Sequence, residues 1–134
     1  MYHFWYSLSD DTAWCGEKRL VTLKKVHAVF YRTQQGKEPV RDFIRSLARE
    51  DKRIIGADIA TVEFGWPVGK PTCAPLGSGL WEIRSDLTSR RIVRVLFMLH
   101  QSQMVLLHGF IKKTQKTPRS DLDIARERMK EISR

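Results

Sequence analysis

Cationic side chains recur among strand-forming apolar residues in the second half of the chain, between Trp81 and Arg119. This segment has two acidic residues, Glu82 and Asp86. It has eight basic residues: Arg84, Arg90, Arg91, Arg94, Lys112, Lys113, Lys116 and Arg119. Guanidinium and ammonium groups bind phosphate oxygens, and a concentrated positive field attracts polyanions. The pattern therefore predicts a sheet surface that handles the phosphates of a nucleic acid.

Composition and length indicate one soluble domain. The chain has 134 residues and a net charge of +9, with 42% hydrophobic and 29% charged residues, which is ordinary for a globular protein with a real core. Cys15 and Cys73 have neither CxxC spacing nor partners at zinc-like intervals, which argues against a disulfide framework or a structural metal. No apolar run approaches the ~20 residues of a transmembrane helix, and the N-terminus lacks a signal-peptide pattern. We expect a cytoplasmic protein without membrane association or cofactor.

The first twenty residues differ from the rest because they are rich in aromatic residues and show neither helical nor strand periodicity. We divide the chain into an N-terminal extension, residues 1–23, and one domain, residues 24–134. Two interpretations of the extension stay open. Val21 can be encoded by an alternative bacterial start codon, so that the working protein would begin there, or the extension folds as a packed hairpin.

From Lys24 onwards the chain becomes regular. Apolar residues alternate up to Phe30, which predicts a strand. Pro39 suits a first helical turn, and apolar residues at i, i+3, i+4 and i+7 predict a helix up to Leu47. A second helix is expected from an N-cap at Asp51 to Gly65. The segment from residue 66 to residue 79 is rich in Pro and Gly and indicates a loop.

Three strands and a helix are predicted after this loop. The strands are expected at residues 80–84, 92–99 and 104–112, with hairpin-length connections between them. Thr117 as N-cap and Pro118 as first helical residue would begin the last helix. The predicted fold is α+β in the order βααβββα, with an antiparallel meander, a two-helix hairpin and a C-terminal helix.

Four sequence words carry a resemblance to a known family: GLWEIR (residues 79–84), VRVLF (93–97), LLHGFIKKTQKTP (106–118) and DLDIARERMKE (121–131). Over residues 25–132 the chain resembles the phage-derived HigB-like branch of the RelE toxin superfamily. The resemblance implies a RelE-like fold with a central antiparallel sheet and the toxin of a type II toxin–antitoxin system. Such a toxin enters the ribosomal A site and cleaves mRNA. A helix-turn-helix antitoxin from an adjacent gene neutralises it, and operator DNA is contacted only through the antitoxin complex.

Cleavage of RNA by its own 2′-OH requires in-line geometry, removal of the 2′ proton, and stabilisation of charge on the phosphoryl and leaving oxygens. Arg and Lys can stabilise both charges. The resemblance places Arg84 and Arg94 at the positions of phosphate-binding arginines, and the pair Lys112 and Lys113 at the cationic position that closes the sheet. We predict these four residues, together with His108, as the catalytic set.

Each of these residues has a structural alternative. Arg94 lies within an apolar strand and could pair with Glu82 across the sheet; we favour a phosphate contact, which such a pair could also support. Arg84 at a strand end, and the two lysines, could simply be solvated. His108 could act as the base because its ordinary pKa is about 6.5, and a hydrogen-bonded structural role is the alternative that we favour.

Six further residues are predicted to contact RNA or the ribosome: Lys70, Arg90, Arg91, Phe110, Lys116 and Arg119. Phe110 could stack on a base, although core packing is the usual role of a strand Phe. Relatives often carry a basic residue where this chain has Ala74, and Lys70 could replace it from the same loop.

The rival hypothesis is a non-catalytic relative that binds nucleic acid or an antitoxin. A DNA-reading module is disfavoured because no helix-turn-helix spacing or zinc pattern is present.

Overall fold

The computed structural model describes residues 23–112 and 116–133. The strands are β1 (His27–Phe30), β2 (Cys73–Gly77), β3 (Leu80–Asp86), β4 (Ile92–His100) and β5 (Gln103–Lys112). The helices are α1 (Pro39–Arg45), α2 (Arg49–Gly65) and α3 (Arg119–Ser133). The α+β class is confirmed. The predicted extension, residues 1–23, lies outside the described residues except for Leu23, whose side chain is exposed.

One sheet holds the five strands in the order β1-β5-β4-β3-β2. β3, β4 and β5 form the predicted antiparallel meander, whereas β1 pairs with β5 in parallel. A two-residue turn at Gln101 and Ser102, both with positive φ, joins β4 to β5. Such a turn matches the right-handed twist of the flanking strands.

The predicted order βααβββα is wrong by one strand, since the order is βααββββα. The additional strand is β2, within the segment that was interpreted as a loop. Pro75 and Gly77 gave that segment its turn-like composition. β2 is the edge strand beside β3 in the sheet of the described residues, and a bulge separates Pro75 from Gly77. Edge strands accept Pro because its missing N–H does not interrupt a ladder there.

Helix starts also differ from the predictions. α2 begins at Arg49, so Asp51 lies in its first turn rather than at its N-cap. α3 begins at Arg119, two residues after the predicted cap Thr117. The hydroxyl of Thr117 instead contacts the sheet. Each displaced polar residue has a tertiary partner, since Asp51 pairs with Arg91 and Thr117 with Glu82.

The two faces of the sheet are covered differently. The face that we call the covered face packs against both α1 and α2. Its buried residues come from the sheet and the helices: Ile83, Val93, Val95, Phe97, Leu106, Ile44, Ile55, Ile59 and Val62. The opposite face, which we call the α3 face, has a smaller cluster: Leu80, Leu96, Met98, Val105, Leu107 and Ala125. The alternation of side chains along a strand assigns neighbouring residues to opposite faces.

Gly109 fixes the close approach of α1 to β5. A Cβ atom at this position would lie 2.8 Å from Cδ2 of Phe43, a residue of α1. Only Gly permits this distance without movement of the Phe43 ring. Gly109 lies between two predicted site residues, His108 and Phe110. The packing of α1 against Gly109 on the covered face therefore holds in place the part of β5 that carries them.

Candidate functional site

Most of the predicted catalytic residues lie on the α3 face, in three successive rows across β3, β4 and β5. The strand register gives the rows as Glu82–Leu96–His108, Arg84–Arg94–Phe110 and Asp86–Ile92–Lys112. Residues opposite each other in adjacent antiparallel strands share a face and lie about 5 Å apart. We call these nine residues the site rows. The register brings together Arg84, Arg94, Lys112, His108 and Phe110, as the sequence predicts.

Arg94 is the buried centre of the site rows, with 8% of its surface exposed. Its Nη1 donates to both carboxylate oxygens of Glu82, at 2.8 and 2.7 Å, and to Oγ1 of Thr117 at 3.1 Å. The Thr117 hydroxyl donates to Oε1 of Glu82 at 3.0 Å. The ion pair that the sequence offered as an alternative to phosphate contact is therefore present.

The same guanidinium is not fully satisfied. Nε of Arg94 is buried and has no hydrogen-bond partner among the described residues. A buried donor without an acceptor costs about 1–3 kcal/mol. Such groups are rare in folded proteins, and a catalytic or binding role is one of the explanations for them.

Arg84 lies directly opposite Arg94 and is more accessible, with 39% of its side chain exposed. Two like charges in this arrangement repel each other. The repulsion is reduced because Nε of Arg84 lies 3.3 Å from Oδ1 of Asp86, while Arg94 pairs with Glu82. Exposure leaves Arg84 able to reach a phosphate outside the sheet.

Lys112 ends β5 beside the two arginines. Desolvation, followed by the positive charges of Arg94 and Arg84, lowers the pKa of Lys112 below its usual value. Glu82 and Asp86 oppose this shift only in part. Three cations thus share a surface with two carboxylates, and the surplus positive charge favours an anion.

His108 has a carboxylate partner on α3. Its Nε2 lies 2.6 Å from Oδ1 of Asp121. An ionised carboxylate can only accept, so Nε2 donates its hydrogen and Nδ1 is the unprotonated nitrogen of the neutral ring. The imidazole also stacks on Phe110, with 5.6 Å between the ring centroids. The ring is held on two sides, as an oriented base or a structural histidine would be.

Four of the residues that were predicted to contact RNA or the ribosome are exposed outside the site rows. Arg90 is exposed in the short turn between β3 and β4, and Lys116 and Arg119 are exposed before and at the start of α3. Lys70 is exposed two residues before Thr72, whose carbonyl oxygen accepts from the Arg84 amide at 2.8 Å. The loop carrying Lys70 therefore borders the site rows.

Two predicted residues are not placed with the rows. Nη2 of Arg91 lies 2.9 Å from Oδ2 of the buried Asp51 on α2, so this arginine ties β4 to the helix behind the sheet. Lys113 lies outside the described residues.

Comparison with known families is decisive at this point. The model of the phage-derived Gp49-like proteins matches residues 42–130, which include all of β2 to β5 and the site rows. This chain belongs to the phage-derived Gp49-like family. The family is related to the RelE toxins of toxin–antitoxin systems, so the predicted relation is confirmed at that level, and the HigB-like branch stays a prediction. No curated protein matches the chain.

The structure adds three residues to the site of this Gp49-like chain that the predicted set did not contain: Glu82, Thr117 and Asp121. Thr117 looked like a helix cap because Thr before Pro is typical of helix starts. Asp121 looked ordinary because acidic residues favour first helical turns. Neither pattern contains a signal for a contact with the sheet, which only the packing of α3 creates.

The site of this Gp49-like chain is a surface rather than a deep pocket. A groove of about 500 Å³ lies at the other end of the sheet, where Phe30, Tyr31 and His100 line it, and it contains none of the predicted site residues. No cluster of three His, Cys, Asp or Glu side chains within the described ranges could hold a metal ion. None of the described helices is both long and apolar enough to cross a membrane.

Proposed function

We propose that this protein is a ribosome-dependent mRNA endonuclease that acts as the toxin of a type II toxin–antitoxin system in the cytoplasm. The observation that carries the proposal is the convergence of Arg84, Arg94 and Lys112 in adjacent rows of the α3 face, next to the carboxylate-paired His108. The relation of the Gp49-like family to RelE toxins supports the same assignment. Helix-turn-helix antitoxin and operator DNA are the expected further partners, the DNA through the antitoxin only.

The proposed reaction is attack of a 2′ oxygen on the adjacent phosphorus. The 2′-O–P bond forms, the P–O5′ bond breaks, and the products are a 2′,3′-cyclic phosphate and a 5′-hydroxyl end. Although the sequence favoured a structural role for His108, its contact with Asp121 holds the ring by Nε2, and in the proposed reaction Nδ1 of this ring accepts the 2′ proton. Lys112 donates a proton to the leaving 5′ oxygen, and Lys113, the next residue in the sequence, is proposed to add positive charge.

Charge stabilisation is the task of the two arginines. Arg84 and Arg94 bind the nonbridging phosphoryl oxygens as negative charge develops there. Removal of one such donor from a working site typically lowers the rate ~10²-fold or more. Neither these residues nor the aromatic Phe110 reads a base edge in the manner of a sequence-specific site.

The ribosome supplies the positioning that this open surface lacks. By fixing the codon and bending the backbone towards in-line geometry, it can contribute ~7–11 kcal/mol in favourable cases. The exposed residues Lys70, Arg90, Lys116 and Arg119 are proposed as the basic residues that dock on rRNA. Counterion release then predicts binding that weakens steeply with salt.

Inducible expression in bacteria tests the proposal. Wild-type protein should arrest growth, whereas the Arg94→Ala and Arg84→Ala variants should not, at equal soluble protein levels. Arg53→Ala is the matched control because Arg53 is exposed on α2 and, among the described residues, pairs with nearby Glu50. Growth arrest that persists in both site variants would contradict the proposal.

A second candidate is a non-catalytic relative that binds nucleic acid or antitoxin. The observation that favours it is the neutralisation of the buried Arg94 by Glu82. Such a protein would bind ribosomes or an antitoxin without producing new RNA ends. Growth that is indifferent to expression, together with salt-sensitive RNA binding, is the result that would select this candidate.

A further inference from the structure

Arg94 forms all of its hydrogen bonds to described residues through one nitrogen. Nη1 serves Glu82 and Thr117, while Nε is buried without a partner. The N–H groups of Nε and Nη2 point in the same direction and form the planar fork with which Arg binds two oxygens of one phosphate. The contacts at Nη1 therefore leave the phosphate-binding edge of the guanidinium without an acceptor among the described residues.

The three side chains form a closed ring of hydrogen bonds. The Thr117 hydroxyl has a single hydrogen, which it gives to Oε1 of Glu82 at 3.0 Å. Its oxygen must then act as the acceptor of Nη1 at 3.1 Å. Because Glu82 receives Nη1 with both oxygens, rotation of the guanidinium would break contacts on two sides. The ring fixes the plane and the direction of the fork.

We propose that Glu82 and Thr117 are positioning residues that hold Arg94 by Nη1 so that its Nε–Nη2 edge receives the scissile phosphate. This inference rests on the proposed function for the identity of the ligand. Glu82 belongs to β3 and is fixed by the sheet, whereas Thr117 lies between β5 and α3. The start of α3 thus contributes directly to the geometry of the cationic site.

Variants at Thr117 separate orientation from packing. Thr117→Val keeps the size and removes the hydroxyl, and Thr117→Ser keeps the hydroxyl. A misplacement of about 1 Å can lower a rate ~10²-fold, so we expect single-turnover mRNA cleavage on programmed ribosomes to fall ~10-fold to ~10²-fold in Thr117→Val. Thr117→Ser should restore it. Thr61→Val, which removes an exposed hydroxyl on α2, is the control and should cleave like wild type.

Glu82→Gln gives a second test of the same ring. The amide keeps an acceptor for Nη1 but loses the charge and one acceptor oxygen. We expect a larger fall in the cleavage rate than in Thr117→Val, and no effect in Glu50→Gln, whose carboxylate pairs with Arg53 away from the site. If Glu82→Gln fails to fold, the pair of Thr117 variants still decides.

A readout independent of cleavage is the Nε–H signal of Arg94 in NMR spectra. The probe is a trinucleotide with 2′-O-methyl groups, which cannot be cleaved. We expect it to shift this signal at similar concentrations in wild type and Thr117→Ser, and only at several-fold higher concentrations in Thr117→Val. Identical titrations and identical cleavage rates for Thr117→Val and Thr117→Ser would overturn the inference. If wild type never cleaves but the titrations differ, the positioning role stands and the proposed function fails.

Discussion

The two faces of the sheet use the same strands for different purposes. On β4, Val93, Val95 and Phe97 are buried against α1 and α2, whereas the intervening Arg94 faces the other side. β3 shows the same division, with Ile83 buried among apolar residues. Because side chains alternate, one strand can supply core and site without compromise of either. On these strands, successive residues therefore serve different purposes: one packs in the core of the covered face, and the next belongs to the site rows on the α3 face.

A comparison of two buried carboxylates sharpens this difference. Glu63 on α2 accepts the backbone amide of Ala28 at 2.8 Å and the Lys24 ammonium at 3.2 Å. It therefore anchors the edge strand β1 to the helix. Glu82 holds Arg94, a side chain whose remaining donors can turn to a ligand. Glu63, which binds a backbone amide, therefore stabilises the fold, whereas Glu82, which binds an arginine side chain, can also support a binding site.

The largest expected effect comes from Arg94→Ala. Loss of a phosphate donor should lower cleavage ~10²-fold or more. Breaking the buried ion pair should also reduce the free energy of unfolding by about 3–5 kcal/mol. Growth assays and denaturant unfolding measure the two effects separately.

The double variant Glu82→Gln/Arg94→Ala distinguishes chemistry from folding. Removal of both charges should recover much of the lost stability because no unpaired carboxylate remains buried. Cleavage should stay absent. Recovery of cleavage together with stability would mean that Arg94 serves only the fold.

Gly109→Ala should disturb both faces at once. The new Cβ would lie 2.8 Å from the Phe43 ring, and such overpacking typically costs about 1–3 kcal/mol. Phe43→Leu should partly rescue the melting temperature of Gly109→Ala. An unchanged melting temperature in the single variant would show that the Phe43 ring gives way freely.

Cys73 reports whether the covered face excludes water. Burial raises the pKa of its thiol to about 11, so the native thiol should label slowly at pH 9 in a Cys15→Ser background. Because the folded pKa is the higher one, this group's contribution to stability is full below pH 9 and is lost as the pH rises towards 11. Rapid labelling of native protein at pH 9 would contradict a closed face.

The smallest effect is expected from deletion of residues 1–20. Their sequence lacks the periodicity that marks the other elements, and chain termini often contribute little to a domain. Toxicity should not change, and the melting temperature should change little. A large fall in the melting temperature would assign these residues to the packed domain.

Local patterns were enough to predict most elements, and long-range packing was not. The alternation that ends at Phe30 and the helical spacing after Pro39 report burial directly, which is why β1 and α1 were predicted correctly. β2 was missed because Pro75 and Gly77 are turn-forming in most contexts, and only an edge position makes them acceptable in a strand.

In the candidate site, too, local patterns were informative and long-range packing could not be predicted. Arg84, Arg94 and Lys112 were predicted as site residues through the resemblance to RelE toxins, and their functional roles stay predictions. That adjacent antiparallel strands bring these residues onto one surface could be predicted from the strand order. The roles of Thr117 and Asp121 could not, since both depend on where α3 docks. Spacing along the chain contains no information on that contact.

The most direct test of ribosome-dependent cleavage is to incubate the purified protein with a defined mRNA, with and without programmed ribosomes, and to map the new 5′ ends. The proposed function predicts cleavage at the codon in the A site when ribosomes are present, and little or none with free mRNA, since the protein alone lacks the positioning worth ~7–11 kcal/mol in favourable cases. Equal cleavage in both reactions would contradict ribosome dependence, and no cleavage in either would contradict the endonuclease.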